Sequence, residues 1–249
     1  MKVHVGCCGW PRGRKDYFRV FSTVELQSTF YRLPEPETAE RWAKEAPEGF
    51  IFCLKAWQAI THPVTSPTWK RSGMSAEELK RREYGWLRPT EDNFRAWEMT
   101  RAICEKLSAR ICVIQTPPSF GFSVENAEGM MKFLGKIDRR GVLLAWEPRG
   151  IWTENPEEVR KMCRKLDMIH AVDPLRSDPV HLGSKKIAYF RLHGFGKPSI
   201  YNYKFSDGEL RQVLEKAEGT GAREVFCMFN NIHMFEDAKR FKRMVERNR

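Results

Sequence analysis

No stretch of this sequence approaches the roughly 20 apolar residues that a membrane span requires. Met1 to Val5 offers only a short apolar run before Gly6, too brief for the core of a signal peptide. The expected setting is the cytoplasm, away from membranes. The cysteines number seven, two of them adjacent (Cys7 and Cys8), and no Cys-x-x-Cys pair occurs, which argues against a disulfide framework and against a zinc knuckle. Gly-x-Gly-x-x-Gly, Walker, Gly-x-Ser-x-Gly, His-Glu-x-x-His and kinase signatures are also missing. The simplest nucleotide-cofactor, hydride-transfer and serine-hydrolase readings go with them. Without tandem repeats, low-complexity tracts or Gly/Ser linkers, residues 1–249 read as one domain.

What is present is an ordinary globular composition, with 41% hydrophobic and 12% aromatic residues over 249 positions. That length can bury a large core without covalent help. A net charge of +11 attracts anions, whether phosphorylated small molecules or nucleic acid, but serves equally as a solubility device.

Short β-branched runs alternate with amphipathic stretches. Strands are expected at Val3–Cys8, Thr23–Ser28, Phe50–Ala56, Arg110–Thr116, Val142–Glu147, Met168–Asp173, Ile187–His193 and Glu224–Asn230. Helices are expected at Pro36–Glu45, Ser75–Glu83, Thr90–Leu107, Val124–Asp138, Asn155–Leu166, Ser206–Ala217 and Met234–Arg247. Eight such strands imply an α/β fold, a closed parallel (β/α)8 TIM barrel, with an open α/β sheet as the alternative. Pro174, Pro179 and Gly183 predict that the sixth helix degenerates into a loop, and the segment after the third strand is a long insertion.

Three strands end on a polar residue followed at once or one residue later by proline: Gln115-Thr116-Pro117, Glu147-Pro148 and Asp173-Pro174. Proline ends the ladder and keeps the preceding residue extended, so the polar side chain stays at the strand end. Period-2 alternation puts Ile51, Cys53 and Lys55 on one face, as it does Ile111, Val113 and Gln115; Leu143, Ala145 and Glu147; and Tyr189, Arg191 and His193. If these faces point inward, Glu25, Lys55, Gln115, Glu147, Asp173, Arg191, His193 and Asn230 converge on one pocket at the C-terminal mouth, where barrels keep their chemistry.

The same residues carry a resemblance. Val5-Gly6-Cys7-Cys8-Gly9-Trp10, Val24-Glu25-Leu26-Gln27-Ser28-Thr29-Phe30-Tyr31, Lys55-Ala56 with Thr61-His62, and Gln115-Thr116-Pro117-Pro118-Ser119-Phe120 resemble the YecE-like family, also called domain of unknown function 72. Trp146-Glu147-Pro148-Arg149, Arg191-Leu192-His193-Gly194 and Phe229-Asn230-Asn231 extend it along nearly the whole chain. The resemblance implies a TIM barrel. The family has no settled activity, so it implies neither a substrate nor an assigned catalytic residue. Cys7-Cys8 replaces a Thr-Ser-like pair and the loop after the first strand is shortened, which speaks against a shared catalytic thiol.

The chemistry these residues permit is acid–base work by Glu25, Glu147 and His193, with Tyr31, Lys55, Gln115, Arg149, Asp173, Arg191, Asn230 and Asn231 as substrate-binding candidates. Each has a plainer reading: Glu147 with Arg149 as a structural ion pair, Glu25 with Lys55 as a salt bridge, His193 as a hydrogen-bonded core residue. A divalent metal, if one is bound, would take Glu147, Asp173 and His193. Trp57–Arg88 interleaves aromatic and basic residues; these either stack bases and hold phosphates or pack as a lid on the barrel. Three functions follow: an enzyme acting on a phosphorylated or polyanionic substrate, a nucleic-acid protein or barrel nuclease resembling apurinic-site endonucleases, and a non-catalytic binding scaffold.

Overall fold

The computed structural model describes residues 1–248; Arg249, the last residue of the expected domain, lies outside them. Eight strands, β1 (Lys2–Cys8), β2 (Thr23–Leu26), β3 (Ile51–Lys55), β4 (Ile111–Gln115), β5 (Leu143–Glu147), β6 (Met168–Val172), β7 (Ile187–Leu192) and β8 (Glu224–Phe229), close into a parallel barrel, β1 pairing with β8. Closure leaves no strand edge unpaired, and the open-sheet alternative falls.

The predicted alternation is the one that fills the barrel. Cys53, Ile111, Val113, Ala145, Ile169, Tyr189 and Phe226 pack inside it, while the opposite strand faces meet the helices. The N-terminal end is plugged by charge: Glu224 lies 2.8 Å from His4 Nε2 and accepts from Arg110 at 2.7 Å, and His4 stacks on Phe226 at 4.5 Å between ring centroids.

Helices cover the outside at Pro36–Glu45, Glu91–Leu107, Val124–Leu134, Pro156–Lys165, Asp207–Gly219 and Met234–Arg247. The caps follow the sequence: Ser206 accepts from Glu209 N–H while the Glu209 side chain returns to Ser206 N–H, a capping box. The predicted Ser75–Glu83 helix is shorter, Ala76–Lys80. As the two prolines and Gly183 dictate, residues 174–186 contain no helix; Leu182 instead forms an antiparallel bridge to Ile169. The outer side of β6 therefore lacks one of its two usual helical neighbours.

The insertion after β3 folds back onto the barrel. Trp57, Trp69 and Tyr84 are 8%, 3% and 6% exposed and pack on one another, Trp69 stacking on Tyr84 at 5.5 Å. These rings are core, so the base-stacking reading of the segment loses them. Gly85, Trp86 and Leu87 take three consecutive positive φ angles, and their N–H groups donate to Ala59, Thr61 and Ile60. Buried Asn93 accepts from Gly85 N–H at 3.0 Å and donates to Gly85 O and Arg88 O. The insertion is thereby clamped over His62, at the mouth. Among the described residues no helix is long and apolar enough to cross a membrane.

Candidate active site

Arg191 organises the C-terminal mouth. Placed by β7 on the inward face, it is 1% exposed and reaches across the barrel to β2, where its Nε and one terminal nitrogen donate to Glu25 at 3.0 and 2.9 Å. Its other terminal nitrogen pairs with Glu147 from β5. Glu25 also accepts from Tyr189 Oη at 2.9 Å and from Gln27, and is fully buried. These two carboxylates are spoken for, and Arg191 has no face left for a ligand. The substrate-binding role read for Arg191 gives way to a framework role, and Glu25 holds it rather than meeting solvent.

Glu147 is 6% exposed. Burial alone would raise its pKa, but Arg191, Arg149 and His193 outweigh it and hold the carboxyl at about 2. It is a fixed negative charge at neutral pH.

Lys55, at the inward end of β3, differs. Its Nζ sits 3.6 Å from the centroid of the Phe30 ring and makes no ion pair among the described residues; the Glu25–Lys55 bridge of the plainer reading is not formed. Burial first, then the charge of Arg191, lowers its pKa to about 7 despite Glu147 and Glu25. Since Arg191 and Arg149 already balance the two carboxylates, a protonated Lys55 adds an uncompensated charge. Beside it His62, edge-on to Phe30 at 4.8 Å, is driven down to about 3 by burial and by Lys55. Neutral at pH 7, its Nδ1 lies 2.8 Å from Thr61 Oγ1.

On the other side of the mouth, His193 Nε2 lies 3.4 Å from Arg149. A guanidinium only donates, so in the neutral ring the proton belongs on Nδ1. Asp173 approaches that side at 3.9 Å and accepts from His193 N–H at 3.3 Å, while Arg176 pairs with Asp173 at 3.6 Å. Glu147 lies 4.0 Å from Nε2 and Asp173 flanks Nδ1. The two carboxylates thus flank opposite ring nitrogens, and Glu147, Asp173 and His193 do not surround one point. Among the described residues no group of three or more His, Cys, Asp or Glu is arranged to hold a metal ion, so the expected metal ligands do not fit one.

Of the remaining candidates, Asn231 is 3% exposed and donates to Tyr203 O and Asp237, both at 2.7 Å; it anchors the loop after β8 rather than a ligand. Tyr31 lies under Arg71, whose guanidinium is 3.8 Å from its ring, in a surface groove with Gln27 and Trp42. Gln115 and Asn230 are partly exposed at their strand ends. All seven cysteines are free and buried, and burial raises Cys7 and Cys8 far from thiolate chemistry. The sequence singled out neither His170 nor Arg176, and it placed Tyr189 on the inward face and His62 in a family stretch without giving either a role. A phenol among inward apolar residues and a histidine at an outward position of β6 were the available signals.

The sequence matches the model of "Protein of unknown function DUF72" over residues 4–249. The chain belongs to this family. Over short stretches it is 40% identical to UPF0759 protein YecE of Escherichia coli K12 (48 residues, 19% of this chain and 18% of that one). To UPF0759 protein YunF of Bacillus subtilis 168 it is 31% identical (72 residues, 24% and 26%). These matches span about a fifth to a quarter of those proteins' lengths. A DUF72 structure from Thermotoga maritima superposes with a TM-score of 0.73 at 24% identity, covering 99% of this chain and 100% of that one. The same barrel recurs in a D-tagatose 3-epimerase-like protein (TM-score 0.61, 15% identity, 99% and 96% covered). It recurs too in endonuclease IV of Thermus thermophilus (0.54, 11%, 98% and 99%). At these identities the shared property is the fold.

Proposed function

We propose that this DUF72 protein is an enzyme that moves a proton on a small anionic substrate, with Lys55 as the base. One observation carries the reading: a lysine at an inward strand end, held near neutrality, without a carboxylate partner among the described residues. A neutral amine there accepts a substrate C–H proton and becomes an ammonium. The electron pair stays on the substrate carbon and spreads into an adjacent carbonyl. Returning the proton to the neighbouring, former carbonyl carbon, with the hydroxyl proton passing to the other oxygen, completes an isomerisation; a proton delivered to the opposite face of the original carbon by a second donor at the mouth completes an epimerisation. Arg149 and Arg176, 29% and 44% exposed, are the groups that meet the anion, and His193 supports Arg149. Glu147 supplies a fixed negative charge, and Glu25 is occupied by Arg191 and Tyr189. The fold shared with a D-tagatose 3-epimerase-like protein is a reason to begin with sugars.

The test is exchange of substrate protons in D2O, followed by NMR, over a panel of phosphorylated sugars and 2-oxo acids. Exchange with one class, reduced at least ~100-fold by Lys55→Met, is the expected result for a general base. Exchange that survives the substitution, or none across the panel, overturns the reading.

A second reading, nucleic-acid binding, is favoured by the rim. Phe122, Ile151, Phe195, Tyr201 and Ile232 are exposed on the loops after β4, β5, β7 and β8, and endonuclease IV shares the barrel. Salt-sensitive binding of single-stranded or abasic DNA would support it, and no binding at low salt would dispose of it.

A further inference from the structure

The missing sixth helix leaves a space. A cavity of about 540 Å³ opens at the mouth beside Glu147, Arg149 and His193 and runs down the outer side of β6. Its size falls in the range of small-molecule sites. The inner wall is His170 and Val172, whose side chains alternate with the barrel-filling Ile169 and Ala171. Trp152 and Val159 close it from the preceding connection and helix, Val180 and Ile200 from the loops flanking β7.

The wall is apolar along Trp152, Val159, Val172, Val180 and Ile200, and polar towards the mouth, where Glu147, Arg149 and His193 lie. Arg149 and Arg176, 29% and 44% exposed, are the arginines that line the cavity. His170 Nδ1 accepts from Val180 N–H at 3.1 Å, which leaves the ring proton on Nε2, and Nε2 has no partner among the described residues. The carboxylates lining the cavity are already engaged: Glu147 by Arg191 and Arg149, Asp173 by Arg176, and Asp178 by Lys216 at 2.7 Å. A ligand that brings acceptors at the mouth end and hydrocarbon behind satisfies such a cavity.

We propose that the space beside β6 is a specificity lobe, so that the ligand of this site is amphipathic: an anionic head at Arg149 and an alkyl or aryl group between Trp152, Val172 and Val180. The proposal rests on the anionic-substrate reading for its head group only.

Calorimetric titration with methyl-, butyl- and hexylphosphonate, and with the matching alcohols, separates the two. Burying hydrocarbon gives an affinity increase on the order of fourfold per methylene until the lobe is full. Val180→Trp, a loop substitution that fills the lobe, is expected to abolish that increase while leaving methylphosphonate binding unchanged. Thermal melting checks that this variant is folded, and the wild-type series stands if it is not. Phosphonates that bind equally well at every length overturn the lobe and spare the anion site. Length-dependent alcohols with no gain from the phosphonate keep the lobe and overturn the anionic head. No length dependence in either series overturns the lobe outright.

Discussion

Arg191 grips Glu25 through two hydrogen bonds, of 3.0 and 2.9 Å, across the interior of the barrel, with neither side chain more than 1% exposed. Opposite charges at such depth stabilise little relative to an apolar pair, yet removing one partner strands the other. Arg191→Met is therefore expected to cost ~3–5 kcal/mol, or on the order of 10 °C in Tm for a chain of this size. Adding Glu25→Gln should recover part of the loss. Denaturant unfolding of both variants is the check; a double variant no more stable than the single one would mean that the stranded carboxylate is not the cause.

Glu147 ties stability to acid. Its folded pKa of about 2 lies below the usual carboxylate value of 4.5. Its contribution is thus complete above pH ~4.5 and disappears as pH falls toward 2, because the unfolded chain takes up the proton first. Wild-type Tm should fall across that window. Glu147→Gln should start lower at pH 7, by several degrees, and show a shallower slope between pH 5 and 2. Parallel slopes would refute the assignment.

The barrel was legible because a period of two needs only local sequence: Cys53, Val113, Ala145 and Tyr189 are inward for the reason their spacing predicts. Proline-stopped strands likewise placed Glu147 and Asp173 at the mouth. Partner choice was not legible. Arg191 and Glu25 are 166 positions apart and meet only because closure through β8 and β1 brings β7 within reach of β2, so no local pattern tells that Glu25 takes Arg191 and leaves Lys55 single. Trp57, Trp69 and Tyr84 left two readings open, base stacking or packing as a lid, for a related reason: basic neighbours point to a surface, and only the folded insertion turns the rings inward, as the lid reading has it.

Gly194 governs the loop that follows β7. Its φ is +93°, and a Cβ there would lie 2.4 Å from Tyr203 Cβ, so an alanine meets both an unfavourable backbone conformation and a collision. Gly194→Ala is expected to cost ~1–3 kcal/mol. It should also displace the loop carrying Phe195 and Ile200 and move Gly194 O, which accepts from Arg176 at 2.6 Å. Tm and phosphonate affinity should fall together; a variant with wild-type Tm and affinity would mean that the loop yields freely.

Lys55 makes the sharpest prediction because its sign is opposite to that of an ordinary lysine. Gaining a partner usually raises a lysine's pKa and stabilises the fold; here folding lowers it from 10.5 to about 7. Between those values the unfolded chain binds the extra proton, so stability rises with pH over that interval. The penalty is complete below pH 7 and gone above about 10.5. Lys55→Met, similar in length and uncharged, should accordingly raise Tm at pH 6.5, by about 2–4 °C for each kcal/mol relieved, and by progressively less as pH approaches 10. The same titration should appear in catalysis as a rate that climbs through pH 7, where the amine loses its proton. Melting both proteins at pH 6.5 and 10 decides the matter. An equal difference at the two pH values would show that Lys55 is charged at neutrality like any surface lysine, and the proposed base would have to be sought elsewhere at the mouth.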